Sequence, residues 1–169
     1  MSPTFTMKRF PFFRLIALMF VASTLVHAEP VAPTPAPAWM LQDLDGQAVS
    51  SDQFKGKVLV IDFWATWCGP CVQEIPGYIA LQNKYGKDGL VIIGVSLDRT
   101  GPEKVKKFVQ QKGMNYVVVM GDEKIAEAFG GFEAIPTTFV IDRSGIMRSK
   151  KVGAEETAVF EKTLLPYLR

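Results

Sequence analysis

Val58-Leu59-Val60-Ile61-Asp62-Phe63-Trp64-Ala65-Thr66-Trp67-Cys68-Gly69-Pro70-Cys71 decides the fold of this chain. Positions 58–65 are apolar or aromatic except for Asp62, a run that suits a strand buried on both faces of a parallel sheet. It is predicted to be the centre of that sheet. A helix is predicted over 71–87, so the two cysteines stand where a buried strand hands over to a helix.

A cysteine at that place has a physical reason to react. Free backbone N–H groups and the positive end of the helix dipole lie beside the first sulfur and favour its thiolate, the form that attacks disulfides. Cys68 is therefore the predicted nucleophile. Cys71, one turn into the helix and less exposed, is close enough to displace a mixed disulfide formed at Cys68 and is the predicted resolving thiol. Gly69 and Pro70 tune the pair, because the proline limits how the helix start relaxes between redox states. A loop closed between 68 and 71 is too short to staple a fold. Half of a four-thiol zinc site is excluded as well, since the chain has two cysteines and one histidine in all.

Working outward, 90–97 reads as a second buried strand and 102–112 as a helix with Pro102 at a permitted early position. A third strand is predicted at 116–120, followed by a short helix at 125–129 closed by Gly130-Gly131. Strands at 137–141 and 146–152 form an antiparallel pair around Asp142-Arg143-Ser144-Gly145, and 155–167 is the last helix. On the N-terminal side, 43–49 reads as a hairpin around an Asp-Gly turn. Alternating strands and helices give an α/β class with a central mixed, mostly parallel sheet flanked by helices. No internal repeat is present.

The N-terminus divides 1–28, a signal peptide, from a proline-rich linker at 29–38 and a single domain at 39–169. Lys8, Arg9 and Arg14 form a basic start, 15–26 is apolar, and Val26-His27-Ala28 is a small-residue exit, so cleavage is expected after Ala28. Retention as an uncleaved membrane anchor is the alternative, although a twelve-residue stretch that includes Ser23 and Thr24 falls short of the roughly 20 that span a bilayer. Either way the domain is placed outside the cytoplasm, in the periplasm or an equivalent space, where disulfides persist. Alternating prolines at 29–38 favour an extended, solvated linker.

The chain carries 19 Lys and Arg against 17 Asp and Glu. Without the three basic residues of the signal the body is nearly neutral, which excludes an electrostatic case for nucleic acid. His27, the one histidine, lies inside the signal. A mature body without histidine loses Cys–His catalysis, histidine acid–base chemistry and most zinc or copper sites, and no metal or cofactor is expected. The seven methionines are scattered and form no copper-binding stripe.

The segment 60–71 resembles the active-site segment of the thioredoxin superfamily. Cys71-Val72-Gln73-Glu74-Ile75-Pro76, together with the export signal, resembles the TlpA/ResA-like branch of that superfamily. The resemblance runs from about Trp39 to the C-terminus. It implies a thioredoxin fold with an N-terminal hairpin and an inserted strand–helix unit, here 90–111. It also implies a reducing role outside the cytoplasm, toward protein disulfides such as apocytochrome c thiols or copper-site assembly proteins. A membrane-bound electron donor would regenerate the pair, and a monomer is expected. Ile135-Pro136-Thr137-Thr138 resembles the family's cis-proline segment, which faces the cysteines and pairs with substrate backbone; a cis bond is available almost only at X–Pro.

Asp62 interrupts the apolar strand, where burial should raise its pKa and make it a proton acceptor for Cys71. Thioredoxins carry Asp at the matching position, whereas many TlpA-like proteins have Asn there. Glu74, three residues after Cys71, shares its helical face and matches the glutamate of the family's Cys-x-x-Glu-x-Pro run; a solvated first-turn acid is its other reading. Trp67 is expected to shield or present the Cys68 sulfur, or else to pack, and Trp64 to lie in the core. Pro76 removes a hydrogen bond inside the helix.

Three other activities compete with reduction. A disulfide oxidase or isomerase would use the same pair at a higher potential. A peroxidase on this fold needs a Pro-x-x-x-Thr/Ser-x-x-Cys loop that the residues before Cys68 do not supply. A metallochaperone has only two thiols to work with.

Overall fold

The computed structural model describes Met1 and residues 29–169. The predicted signal peptide and its cleavage point therefore lie outside the described residues.

One mixed sheet of eight strands organises the molecule, in the order β1-β8-β7-β4-β5-β6-β2-β3. These are β1 (Glu29–Pro35), β2 (Met40–Asp43), β3 (Ala48–Ser50), β4 (Val58–Trp64), β5 (Leu90–Ser96), β6 (Val117–Met120), β7 (Thr137–Ile141) and β8 (Ile146–Val152). The helices are α1 (Gly69–Tyr85), α2 (Pro102–Lys112), α3 (Glu123–Ala128) and α4 (Thr157–Leu168). Every residue of β4 is buried, as its apolar run requires, and β4 lies between the parallel β5 and the antiparallel β7. Parallel neighbours need a crossover, and α1 and α2 supply it between β4, β5 and β6. β5 is paired on both sides, so the strand–helix unit expected as an insert at 90–111 is built into the middle of the sheet.

Alternation along β4 sends side chains into two cores. Val58 and Val60 pack with Tyr78 and Leu81 of α1 and with Phe160 and Leu164 of α4. Leu59, Ile61 and Phe63 point the other way, against Ile125 of α3, Phe129 and Trp39. A third cluster caps the C-terminal end of β4, where Trp64, Ala65, Cys68 and Cys71 meet Ile75, Val105 of α2 and Val118. The cysteine pair thus rests on the core.

Residues 29–35, read from sequence as part of a solvated linker, are instead an edge strand: β1 pairs antiparallel with β8, with a bulge between Pro30 and Thr34. An edge strand needs ladder bonds on one side only, so proline's missing N–H is tolerated there. The expected hairpin is β2–β3, closed by Asp43, whose Oδ1 accepts the Asp45 and Gln47 N–H groups at 2.8 Å. It is not a separate flap, because β2 also pairs with β6 and extends the sheet. Among the described residues no helix is long and apolar enough to cross a membrane.

Candidate active site

β4 ends at Trp64 and α1 begins at Gly69, with Cys68 as its N-cap residue. The helix starts two residues before the predicted boundary, so the first cysteine sits at the free N–H groups themselves. Cys68 Sγ accepts the Cys71 backbone N–H at 3.3 Å, which is the local hydrogen bond that would also stabilise a thiolate there. Pro70 occupies the first turn, where its missing donor costs nothing. The two cysteines are joined as a disulfide, with Cys68 6% and Cys71 2% exposed. Attack from outside therefore reaches Cys68 more readily.

The loop between strand and helix is fixed from the side by Asp98. Its carboxylate accepts the Thr66 N–H at 2.9 Å, the Thr66 hydroxyl at 2.6 Å and the Ser96 hydroxyl at 2.9 Å. This clamp holds the residues just before Cys68. Trp67 projects from the same loop and is 70% exposed, while Trp64 is core.

Facing the disulfide is the segment before β7. The Ile135–Pro136 bond is cis, and the Ile135 carbonyl oxygen lies 3.7 Å from Cys68 Sγ. Ile135 thus borders the sulfur through its carbonyl. Thr137 does not: its side chain is buried, and its hydroxyl donates to the Ala134 carbonyl at 2.7 Å, so it has only backbone to offer.

Below the cysteines the sheet carries a buried polar row. Asp62 on β4 is in register with Thr138 on β7, and Thr138 with Lys151 on β8, so the three side chains share the face covered by α1 and α4. The Thr138 hydroxyl donates to Asp62 Oδ1 at 2.9 Å, and the Tyr78 hydroxyl lies 3.1 Å from Thr138 Oγ1. Since Thr138 has one proton to give, Tyr78 donates to it and the chain runs from phenol to hydroxyl to carboxylate. Burial first, and the nearby charge of Glu74 second, push the Asp62 pKa up to about 7; Lys151 and the hydroxyls pull it down. Burial also raises the Tyr78 phenol well above its ordinary range, so it stays a donor.

Glu74 is buried rather than solvated. Its Oε1 accepts the Lys151 ammonium and the Glu155 backbone N–H, the latter at 3.0 Å. Tyr78, Lys151 and Asp98 escaped sequence reasoning, and Thr138 entered it only as the end of the cis-proline segment. Nothing in Arg148-Ser149-Lys150-Lys151 distinguishes a buried lysine from an exposed one, and only Asp98, polar just past an apolar strand, left a local trace.

Known proteins are similar to this chain in sequence and in fold. Thiol-disulfide oxidoreductase ResA of Bacillus anthracis is 35% identical over 121 residues, 71% of this chain and 69% of that protein. Thioredoxin-like protein YneN of Bacillus subtilis (strain 168) is 33% identical over 132 residues, 76% of each chain. The crystal structure of a thioredoxin-family thiol:disulfide interchange protein from Chlorobium tepidum TLS superposes with a TM-score of 0.74 at 34% identity, covering 82% of this chain and 99% of the other. With residues 33–150 matching the family model described as AhpC/TSA and the cysteine pair at its helix start, the chain belongs to the AhpC/TSA family, among its thiol-disulfide oxidoreductases.

Proposed function

We propose that the chain is an exported dithiol reductase of protein disulfides, delivered by cleavage after Ala28 and working outside the cytoplasm as a monomer recharged by a membrane-bound electron donor. The observation that carries this reading is the Cys68 sulfur at the head of α1, accepting a helix N–H with a second sulfur one turn behind it. The basic start, the apolar stretch and the small-residue exit of the first 28 residues support export.

In the first step the Cys68 thiolate attacks one sulfur of a client disulfide; the other client sulfur leaves and takes a proton from water. Trp67 and Ile135 border Cys68 and receive the client, whose backbone lies along the cis-proline segment of Ile135, Pro136 and Thr137. In the second step Asp62 accepts the Cys71 proton. The Cys71 thiolate then attacks Cys68 Sγ, the mixed disulfide breaks, and the second client sulfur leaves as a thiolate that takes a proton from water. Two electrons have passed to the client, and the Cys68–Cys71 disulfide is the product left on the enzyme. Glu74 supplies fixed negative charge beside that proton transfer. Protein clients of the cytochrome c maturation or metal-site assembly type suit such a reductase.

Equilibration with a glutathione couple tests the direction of transfer. A reductase has a potential below about −180 mV, and a value well above it refutes reduction in favour of oxidation or isomerisation. A Cys71→Ser variant accumulates mixed disulfides through Cys68, and mass spectrometry names the clients; a variant that traps nothing refutes the two-step exchange.

A further inference from the structure

Lys151 is the residue whose position the two-step exchange leaves unexplained. It lies on β8 among polar neighbours, yet it is 1% exposed, and its ammonium pairs with Glu74 across the interface between the sheet and α1. Burying a lysine is costly unless the charge is compensated, so the pair is held by both partners. The chain around it is arranged for that purpose: the Glu155 N–H adds a second donor to the same Glu74 oxygen, and the ammonium lies 5.3 Å from the centre of the Phe160 ring. The neighbouring Lys150 turns to the opposite face, donating to the Gly131 carbonyl at 3.2 Å.

Register then ties this pair to the cysteines. Lys151, Thr138 and Asp62 form one cross-strand row, and Glu74 comes down onto it from the helix that carries Cys71. The groups facing Asp62 are Glu74 and Tyr78 from α1, Thr138 from β7, Lys151 from β8 and Tyr116 from the segment before β6. Among these only Glu74 and Lys151 are ordinarily charged, with opposite signs. The geometry points to Lys151 as a positioning residue for thiol–disulfide exchange: it locks Glu74 as a fixed buried charge, and the locked pair governs proton transfer from Cys71 to Asp62. This rests on the proposed role of Asp62 as the acceptor. Lys151 touches no reacting atom and acts through the two carboxylates. The proton leaves Cys71, arrives on the Asp62 carboxylate and passes to water after the client thiol departs, so no further reactant is required.

The signs of the two charges make the inference testable. Glu74 pushes the Asp62 pKa up and Lys151 pulls it down. Stopped-flow reaction of the reduced protein with an aromatic disulfide that releases a coloured thiolate gives two bursts, the first from Cys68 attack and the second from Cys71 resolution. The acid limb of the second burst is followed from pH 5 to 9. Lys151→Met moves that limb toward alkaline pH by about one unit, a roughly tenfold slower resolution on the acid side. Glu74→Gln moves it toward acid pH, the double variant Lys151→Met/Glu74→Gln returns it most of the way, and Lys151→Arg leaves it in place.

A limb that stays put in both Lys151→Met and Glu74→Gln, while Asp62→Asn abolishes it, overturns the inference and leaves the acceptor role standing. A limb that survives Asp62→Asn overturns the acceptor role itself. Should Lys151→Met alone fail to fold, Glu74→Gln and the double variant decide: the proposal requires an acid shift in Glu74→Gln that is reversed when Lys151→Met is added, and a double variant whose limb coincides with that of Glu74→Gln refutes it.

Discussion

Replacing Asp62 by Asn should change how stability depends on pH, and by a calculable amount. In the folded protein the Asp62 carboxyl has its pKa raised from 3.8 to about 7, with burial as the largest cause. Between those values the folded state holds a proton that the unfolded chain has released, so stability falls as pH rises through the window and levels off above it. Each pKa unit corresponds to about 1.4 kcal/mol, and roughly three units give about 4 kcal/mol by pH 8. Asparagine keeps an oxygen where the Thr138 hydroxyl donates and cannot ionise; its amide N–H groups need new partners, an offset that does not vary with pH. Urea unfolding of the oxidised proteins from pH 4 to 8 measures both curves, and titrating groups that do not interact with Asp62 cancel in their difference. The stability of Asp62→Asn relative to the parent is expected to climb by about 4 kcal/mol across that range. Parallel curves would refute the claim that this carboxyl is held protonated by its burial.

Trp67→Ala removes a side chain that is 70% exposed, so stability should change by no more than about 0.5 kcal/mol, read by urea unfolding. Reduction of a protein client should nevertheless slow about tenfold in kcat/KM while exchange with a small dithiol is unchanged; equal losses on both would remove Trp67 from client contact. Asp98→Ala leaves the Thr66 N–H, the Thr66 hydroxyl and the Ser96 hydroxyl without their acceptor, and should cost about 2–4 kcal/mol in urea.

Much of the architecture could be read before any coordinates. The unbroken apolar run became β4, buried along its whole length, and the strands at 137–141 and 146–152 fall where they were predicted. Helix α2 likewise spans Pro102–Lys112. These features are local, since periodicity, a turn and an early proline act within a few residues. The proline segment was the exception: its composition spoke for extension, but whether it floats or pairs depended on an open edge at β8. Burial of Glu74 was similarly undecidable, because an acid near a helix start faces water or protein according to what packs against that helix.

Local sequence was enough to bring Cys68 and Cys71 together at a helix start, because helix capping and the helix dipole act between atoms only three residues apart. It equally determined that Asp62 sits in an apolar strand. Tertiary structure alone decided what surrounds that carboxyl. Positions 62, 74, 138 and 151 meet through strand register and helix docking, and both are set by the packing of the entire sheet rather than by any neighbouring residue. A lysine between another lysine and a valine becomes a buried counter-charge only when α1 and α4 close over β8, and that closure has no local signature.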